Sequence, residues 1–252
     1  MAPTDDATHG VASESPAAVL ISQQVRVEDQ AADSAHVVDL QFQCDWDIGI
    51  GGSVWTSGEI LTAHLASQQE HYRSIFQDKV VVELGSGTGF VGLMTAVCFQ
   101  PSDVIVTDLQ SHVECLQHNI TRNAHHFRDR VRVDARELSW GSSEHEDALV
   151  GSFGAGRGVD IILGTDVAYL RELYEPLLHT LRRLAHSKTL ILLGLNRADT
   201  GMTFFRRLEE EGFEYYKIAD RLLPSEYRGK DFGLFEIRPR PTCRSVLHIA
   251  AS

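Results

Sequence analysis

The sequence predicts a doubly wound α/β domain whose seven-stranded, mostly parallel sheet ends in an antiparallel C-terminal hairpin. Three observations carry that prediction. From residue 79 onward, short β-branched runs recur with helical stretches between them, the pattern of a parallel sheet covered on both faces. The first run, Val80–Leu84, leads directly into Gly85, Ser86, Gly87, Thr88 and Gly89, so a buried strand, a tight turn and a helix start are encoded in one segment. The last two runs are separated only by the loop 220–231, with no helix between them, and should therefore pair antiparallel.

The elements follow in order. Residues 1–35 are rich in Ala, Ser, Asp and Glu, with Arg26 as their single basic residue, and read as a disordered acidic tail. Val25 and Val27, then Val37, Val38, Leu40 and Phe42, alternate in part with polar residues and suit a short accessory hairpin. Residues 36–78 form an N-terminal accessory segment and helix. There Trp55 follows the pair Gly51-Gly52, and Thr56 with Glu59 makes a capping box for a helix over 57–70. The core spans 79–240, with strands expected at 79–84, 103–107, 131–135, 159–164, 188–194, 213–219 and 232–238. Helices are expected at 89–99, 111–123, 172–186 and 200–212. Ser111 and Glu114 make a second capping box. Leu173, Leu177, Leu181 and Leu184 share one helical face, and Pro176 fits the first turn. Residues 141–158 read as a mobile surface insertion and 241–252 as a C-terminal tail.

Composition narrows the function. The chain has 252 residues, 43% hydrophobic and 23% charged, values of a soluble globular protein. A net charge of −12 repels nucleic acid and anionic membranes and favours a basic partner. No apolar run approaches the ~18 residues of a span, and the N-terminus lacks the basic and apolar regions of a secretory signal. Cys44, Cys98, Cys115 and Cys243 have no metal-ligand spacing and read as reduced thiols, and the twelve histidines share none either, so no metal site is expected. A cytoplasmic protein follows, with the nucleus as an alternative, and a monomer is expected.

The glycine turn points to a nucleotide-like ligand. Gly87, Gly89 and Gly92 satisfy GxGxxG, but the strand ends at Leu84, and counting from Gly85 puts Phe90 where the third glycine of a dinucleotide site belongs. The better description is ExGxGxG. Glu83 would repel a pyrophosphate and suits a ligand carrying positive charge, such as a sulfonium amino acid; it can also accept backbone hydrogen bonds from the turn. Asp108 ends the next strand, 19 residues after Gly89, where a carboxylate can accept both ribose hydroxyls.

The strand pattern, ELGSGTG and VTDL together resemble the seven-β-strand S-adenosylmethionine-dependent methyltransferases. The stretches GGSVWTSGEIL, ELSWG (Glu137–Gly141) and ILGTDVAYLRELYEPLLHTL (Ile162–Leu181) narrow the resemblance to family-16 protein lysine methyltransferases, the methyltransferase-like 21 group, over residues 42–240. The resemblance implies that Gly85, Ser86, Gly87 and Gly89 hold the amino-acid end of S-adenosylmethionine, with Glu83 beside them. It implies Asp108 on the ribose, Trp140 near the adenine, Trp55 closing over the cofactor and Thr165 touching it through backbone. Asp166 and Tyr169, a D-x-x-Y motif, would be catalytic: Asp166 capturing a lysine ammonium and Tyr169 walling the transfer pocket. Asn196 and Arg197 could help bind substrate. The expected partner is a protein carrying the target lysine, of chaperone or translation elongation factor type. The alternatives are methylation of a small molecule or nucleic-acid base, or a silent binding scaffold; Val167-Ala168 in place of Pro-Pro argues against the base.

Overall fold

The computed structural model describes residues 19–29, 34–45, 50–153 and 158–241. Two long strands, β1 (Val19–Asp29) and β2 (Ser34–Cys44), pair antiparallel with Val25 opposite Val38. The helices α1 (Thr56–Ser67) and α2 (Gln69–Phe76) follow. The core then alternates β3 (Val80–Leu84), α3 (Phe90–Phe99), β4 (Asp103–Asp108), α4 (Gln110–Asn123) and β5 (Arg132–Glu137). It continues through α5 (Ser143–Gly151), β6 (Ile161–Thr165), α6 (Tyr174–Leu184), β7 (Leu190–Asn196) and α7 (Met202–Glu210). It ends in β8 (Phe213–Lys217) and β9 (Phe232–Pro239).

The main sheet has the order β5-β4-β3-β6-β7-β9-β8, parallel up to β7, with β9 antiparallel to both its neighbours. The predicted fold class is the one observed. Every residue of β3 is buried, because helices cover both faces of a parallel sheet. Alternation along the strands splits the core in two. Val81, Val104, Val106, Ile161 and Leu163 face α1–α4 and the hairpin, whereas Val80, Val82, Leu84, Ile105 and Ile162 face α5–α7. Strand order reverses around β3, which opens a crevice at the carboxyl ends of β3, β4 and β6.

The accessory hairpin is held by side chains that imitate strand pairing. Asn119 exchanges hydrogen bonds with the N–H and C=O of Gln43 (2.8 and 3.2 Å), and Asn123 does the same with Gln41 (2.9 and 2.8 Å). On the other edge, Gln69 accepts from the Glu28 N–H (3.0 Å) and donates to the Arg26 carbonyl, while Arg73 donates to the Glu28 carbonyl (2.6 Å). Each pair is spaced i,i+4 on its helix, so both side chains reach along one strand edge. Val25, Val27, Val38, Leu40 and Phe42 are buried beneath.

Four expectations change. The tail predicted over 1–35 is strand β1 in its second half, because Val25 and Val27 have a core to enter; residues 1–18 lie outside the described residues. The helix predicted over 57–70 breaks at Gln68 and resumes as α2. Neither capping box forms: α1 and α4 each begin one residue earlier than expected, and their N-caps, Trp55 and Leu109, make no side-chain capping bond. The insertion read over 141–158 contains α5, capped by Ser142 and docked on α6 through Glu146, whose carboxylate accepts from Thr180 Oγ1 (2.7 Å) and lies 3.1 Å from His179 Nδ1. Residues 154–157 and 242–252, including Cys243, lie outside the described residues. Cys44, Cys98 and Cys115 are free and buried. No helix among the described residues is long and apolar enough to cross a membrane.

Candidate active site

The crevice at the switch point is an open cleft of about 1130 Å³. Its floor is the turn after β3. Gly85 (φ 58°) and Gly87 (φ 55°) adopt the left-handed conformation that favours glycine. A Cβ on Gly87 would lie 2.5 Å from the Gly51 carbonyl oxygen, and one on Gly85 would lie 3.2 Å from both Trp140 and Val167. Bare backbone is therefore required by close approach as well as by φ, and the Gly51-Gly52 pair of the sequence is seen to be the strand of chain that lies across the turn. Ser86 locks the turn to β4: its N–H donates to the Thr107 carbonyl (2.9 Å), and its hydroxyl accepts from the Thr107 N–H (2.9 Å) and donates to the Glu83 carbonyl (3.2 Å). Gly89 (φ 81°) starts α3 and packs toward Leu116 and Leu93, outside the cleft lining.

Two carboxylates flank this turn. Glu83 is 2% exposed, and its Oε2 accepts from the Gly92 N–H (2.9 Å) in α3. Burial dominates and lifts its pKa to about 8, against the opposing hydrogen bonds from Gly92 and Ser86. Asp108, at the tip of β4, accepts from the Gly87 N–H and the Leu109 N–H, each at 2.8 Å, through its two oxygens. It thus does part of the capping work assigned to Ser111, while each oxygen keeps a lone pair for a ligand hydroxyl. His112, one helical turn on, is buried with Nδ1 3.6 Å from Asp108 and Nε2 without a hydrogen-bond partner.

At the other end of the cleft, Asp166 follows β6 at φ 53°, a conformation costly for a non-glycine residue and typical of functional turns. Its N–H donates to the Gly194 carbonyl (2.8 Å). Its Oδ1 accepts from the Ser57 hydroxyl (2.7 Å), and the backbone N–H groups of Ser57 and Asn196 also reach the carboxyl. Burial, the largest influence, raises its pKa; nearby Asp199 adds to this, and the three donors oppose it. Trp55, Tyr169 and Leu170 are partly exposed at the mouth.

The structure thus brings ten of the eleven predicted site residues to one cleft: Trp55, Glu83, Gly85, Ser86, Gly87, Asp108, Trp140, Thr165, Asp166 and Tyr169. Gly89 stands outside it. Of the two weaker candidates, Asn196 lines the cleft and Arg197 does not. Sequence reasoning missed Gly51, His112 and Asp199, which also line it, and Ser57, which is buried and donates to Asp166.

S-adenosylmethionine fits these residues. The glycine turn leaves space for its amino-acid end, buried Glu83 lacks a counter-charge for a sulfonium and ammonium ligand, and Asp108 has lone pairs for a ribose. Fold and site together define an S-adenosylmethionine-dependent methyltransferase. The sequence profile of a family described as lysine methyltransferase matches residues 34–211, and the chain belongs to that family. It is 36% identical over 176 residues to EEF1A lysine methyltransferase 3 of Mus musculus, covering 69% of this chain and 68% of that one. It is 32% identical over 157 residues to protein N-lysine methyltransferase METTL21A of Xenopus tropicalis, covering 62% and 65%, so it spans about two thirds of that relative's length. With protein-lysine N-methyltransferase EFM6 of Saccharomyces cerevisiae it shares 31% identity over 209 residues, covering 75% and 81%. Among solved structures, the 16S rRNA N2 G1207 methyltransferase RsmC of T. thermophilus, in complex with AdoMet and guanosine, superposes with a TM-score of 0.57 at 17% identity, over 90% of this chain and 52% of that one, which establishes the shared fold. The activity of this class is protein-lysine N-methylation, with S-adenosylmethionine as methyl donor.

Proposed function

We propose that the protein methylates a lysine ε-amine on a protein of the translation elongation factor type, the class named by the mouse relative. The enzyme acts as a cytoplasmic or nuclear monomer, and its net charge of −12 favours a basic protein surface over nucleic acid. The observation that carries the reading is Asp166: a half-buried carboxyl in a strained turn, at the end of the cleft away from Asp108, with a lone pair left for a cation.

When bound, S-adenosylmethionine supplies a methyl group already activated by its sulfonium. Gly85, Ser86 and Gly87 hold its amino-acid end, Glu83 balances its charge and Asp108 takes the ribose. Trp140, whose ring edge packs beside Gly85, and Trp55, at the mouth, both line the cleft. The chain's remaining task is to orient the amine. A lysine with a reference pKa of ~10.4 needs roughly 4 kcal/mol to become neutral near physiological pH. The charge on Asp166 raises the lysine pKa further, so this residue captures and aligns the ammonium and is no strong base. The proton leaves to water before the amine is fully desolvated. Tyr169 walls the amine's approach, Thr165 borders the cofactor side, and Asn196 fixes Asp166 through its N–H.

Labelled methyl transfer from S-adenosylmethionine into cell lysate tests this reading, with Asp166→Asn as control and the modified residue located by mass spectrometry. Methyl-lysine in one discrete protein, lost in the variant, is the expected result. Full turnover by Asp166→Asn, or label in nucleic acid or small molecules, would refute it.

A further inference from the structure

Ser57 is fully buried on the first turn of α1, and no sequence signal marks it. Its hydroxyl donates to Asp166 Oδ1 at 2.7 Å, across 109 residues of chain. Its N–H reaches the same carboxyl. The residue in the N-cap position, Trp55, makes no side-chain capping bond. A carboxylate from the end of β6 therefore takes up donors at the start of α1, an N-cap supplied from a distant part of the chain. The seat is rigid. A Cβ on Gly194 would lie 3.0 Å from the Ser57 carbonyl oxygen, so β7 approaches this turn at its closest limit. One residue before Ser57 in this turn is Thr56, and before that Trp55, both lining the cleft.

We propose that Ser57 is a positioning residue for methyl transfer, which holds the Asp166 carboxylate in the orientation that receives the substrate lysine. The inference rests on the reading of Asp166 as the amine-capturing group. Its physical basis is that Asp166 sits in surroundings that disfavour its charge, so each donor counts twice, once for geometry and once for ionisation. The titratable groups that share the cleft with Asp166 are Asp199 after β7, Glu83 on β3, Asp108 at the tip of β4, His112 on α4 and Tyr169 on its own loop. Asp199 opposes the ionisation of Asp166, and none of these groups is among its described hydrogen-bond partners. The Ser57 hydroxyl is the neutral side-chain donor among the described partners of that carboxyl.

The test compares full-length wild type, Ser57→Ala, Ser57→Thr and Asp166→Asn. Tritiated S-adenosylmethionine is the donor and total cell lysate the methyl acceptor. Incorporation into protein is followed against pH and lysate concentration, and S-adenosylhomocysteine binding by calorimetry reports cofactor-site integrity. Ser57→Ala should bind S-adenosylhomocysteine within about twofold of wild type yet incorporate methyl roughly tenfold more slowly at pH 7, the scale of one hydrogen bond to a charged group. The acid limb of its pH–rate profile should move to higher pH, and Ser57→Thr, which keeps the hydroxyl, should restore both. A purely structural role would lower the rate equally at every pH without moving that limb, and that result overturns the inference. So does a wild-type rate in Ser57→Ala. If Ser57→Ala does not melt cooperatively, Ser57→Cys, close in shape but a weak donor, reads the same limb. The two readings fail separately. An active Asp166→Asn removes the role of Asp166 itself, whereas an inactive Asp166→Asn beside an unaffected Ser57→Ala removes only that of Ser57.

Discussion

Replacing Glu83 by glutamine should make cofactor binding nearly independent of pH below 7. Burial holds the Glu83 acid at a pKa of about 8, so at pH 7 about nine-tenths of the ligand-free protein carries it protonated. A ligand bearing a sulfonium and an ammonium selects the carboxylate, and the acid must ionise on binding. That ionisation costs about 1.4 kcal/mol at pH 7 and about twice as much at pH 6, so affinity should climb close to tenfold per pH unit in that range and level off above 8. About 0.9 proton should leave per cofactor bound at pH 7, and nearly one at pH 6. The ligand's own amine, with an α-amino pKa of ~7.7–8.0, stays mostly protonated below pH 7 and adds little. Isothermal titration calorimetry in buffers of different ionisation enthalpy counts the protons directly. Glu83→Gln keeps an oxygen for the Gly92 N–H and should lose both the slope and the proton release. A wild-type affinity that is flat from pH 6 to 8, with no buffer dependence, would refute the assignment of Glu83 as counter-charge.

The same acid links stability to pH. Its folded pKa of about 8 lies above the 4.5 of the exposed group, so its contribution is complete below pH 4.5 and is lost as pH rises to 8, about 5 kcal/mol over that window. Denaturant midpoints of cofactor-free wild type should fall across it while those of Glu83→Gln do not; parallel curves would count against this. Gly87→Ala should abolish calorimetric cofactor binding and cost about 2 kcal/mol or more of stability, because its Cβ would lie 2.5 Å from the Gly51 oxygen. Gly212→Ala, also at positive φ (87°) but in open space, should cost only about 1 kcal/mol and leave binding intact. Asn119→Ala would strand the N–H of Gln43, leave its C=O only the weak Cys115 thiol donor (3.5 Å) and remove a bond, 3.0 Å long, to the Thr88 carbonyl, for an expected loss of about 2–4 kcal/mol in urea unfolding. An unchanged midpoint would mean that water replaces the side chain without penalty.

Much of this was legible in the sequence because the signals were local. Val80–Val82 could only be a strand covered on both faces, and the glycines after Glu83 could only be a turn under close approach. Asp108 was legible because it ends a strand at the edge where this architecture binds ligands, and Asp166 because its D-x-x-Y stretch just after a strand carries the family resemblance. What could not be read was the pairing of distant groups. The capping boxes at Thr56 and Ser111 obey a local rule, yet α1 takes its carboxylate from Asp166, 109 residues from Ser57, and the Leu109 N–H is taken by Asp108. Helix α5 was hidden because Glu146, a charged residue in a run resembling loop, is wholly buried against Thr180. The hairpin's length was hidden because Asn119, Asn123, Gln69 and Arg73 look like ordinary polar helix residues until the strands they hold are placed beside them.

The position of β9 between β7 and β8 has a consequence for the nascent chain. Strand β8 is synthesised first, but its partner in the sheet is β9, and β7 likewise keeps an open edge until β9 arrives. Phe232, at the start of β9, pairs with Asn196 and lines the cleft, and the Asp231 carbonyl accepts from the Arg197 N–H (2.7 Å). The Asn196–Asp199 wall of the cleft is thus settled only once β9 has been made and has paired with β7. A prematurely terminated product ending before Phe232 would carry the glycine turn, Asp108 and Asp166, and still lack a finished place for its substrate.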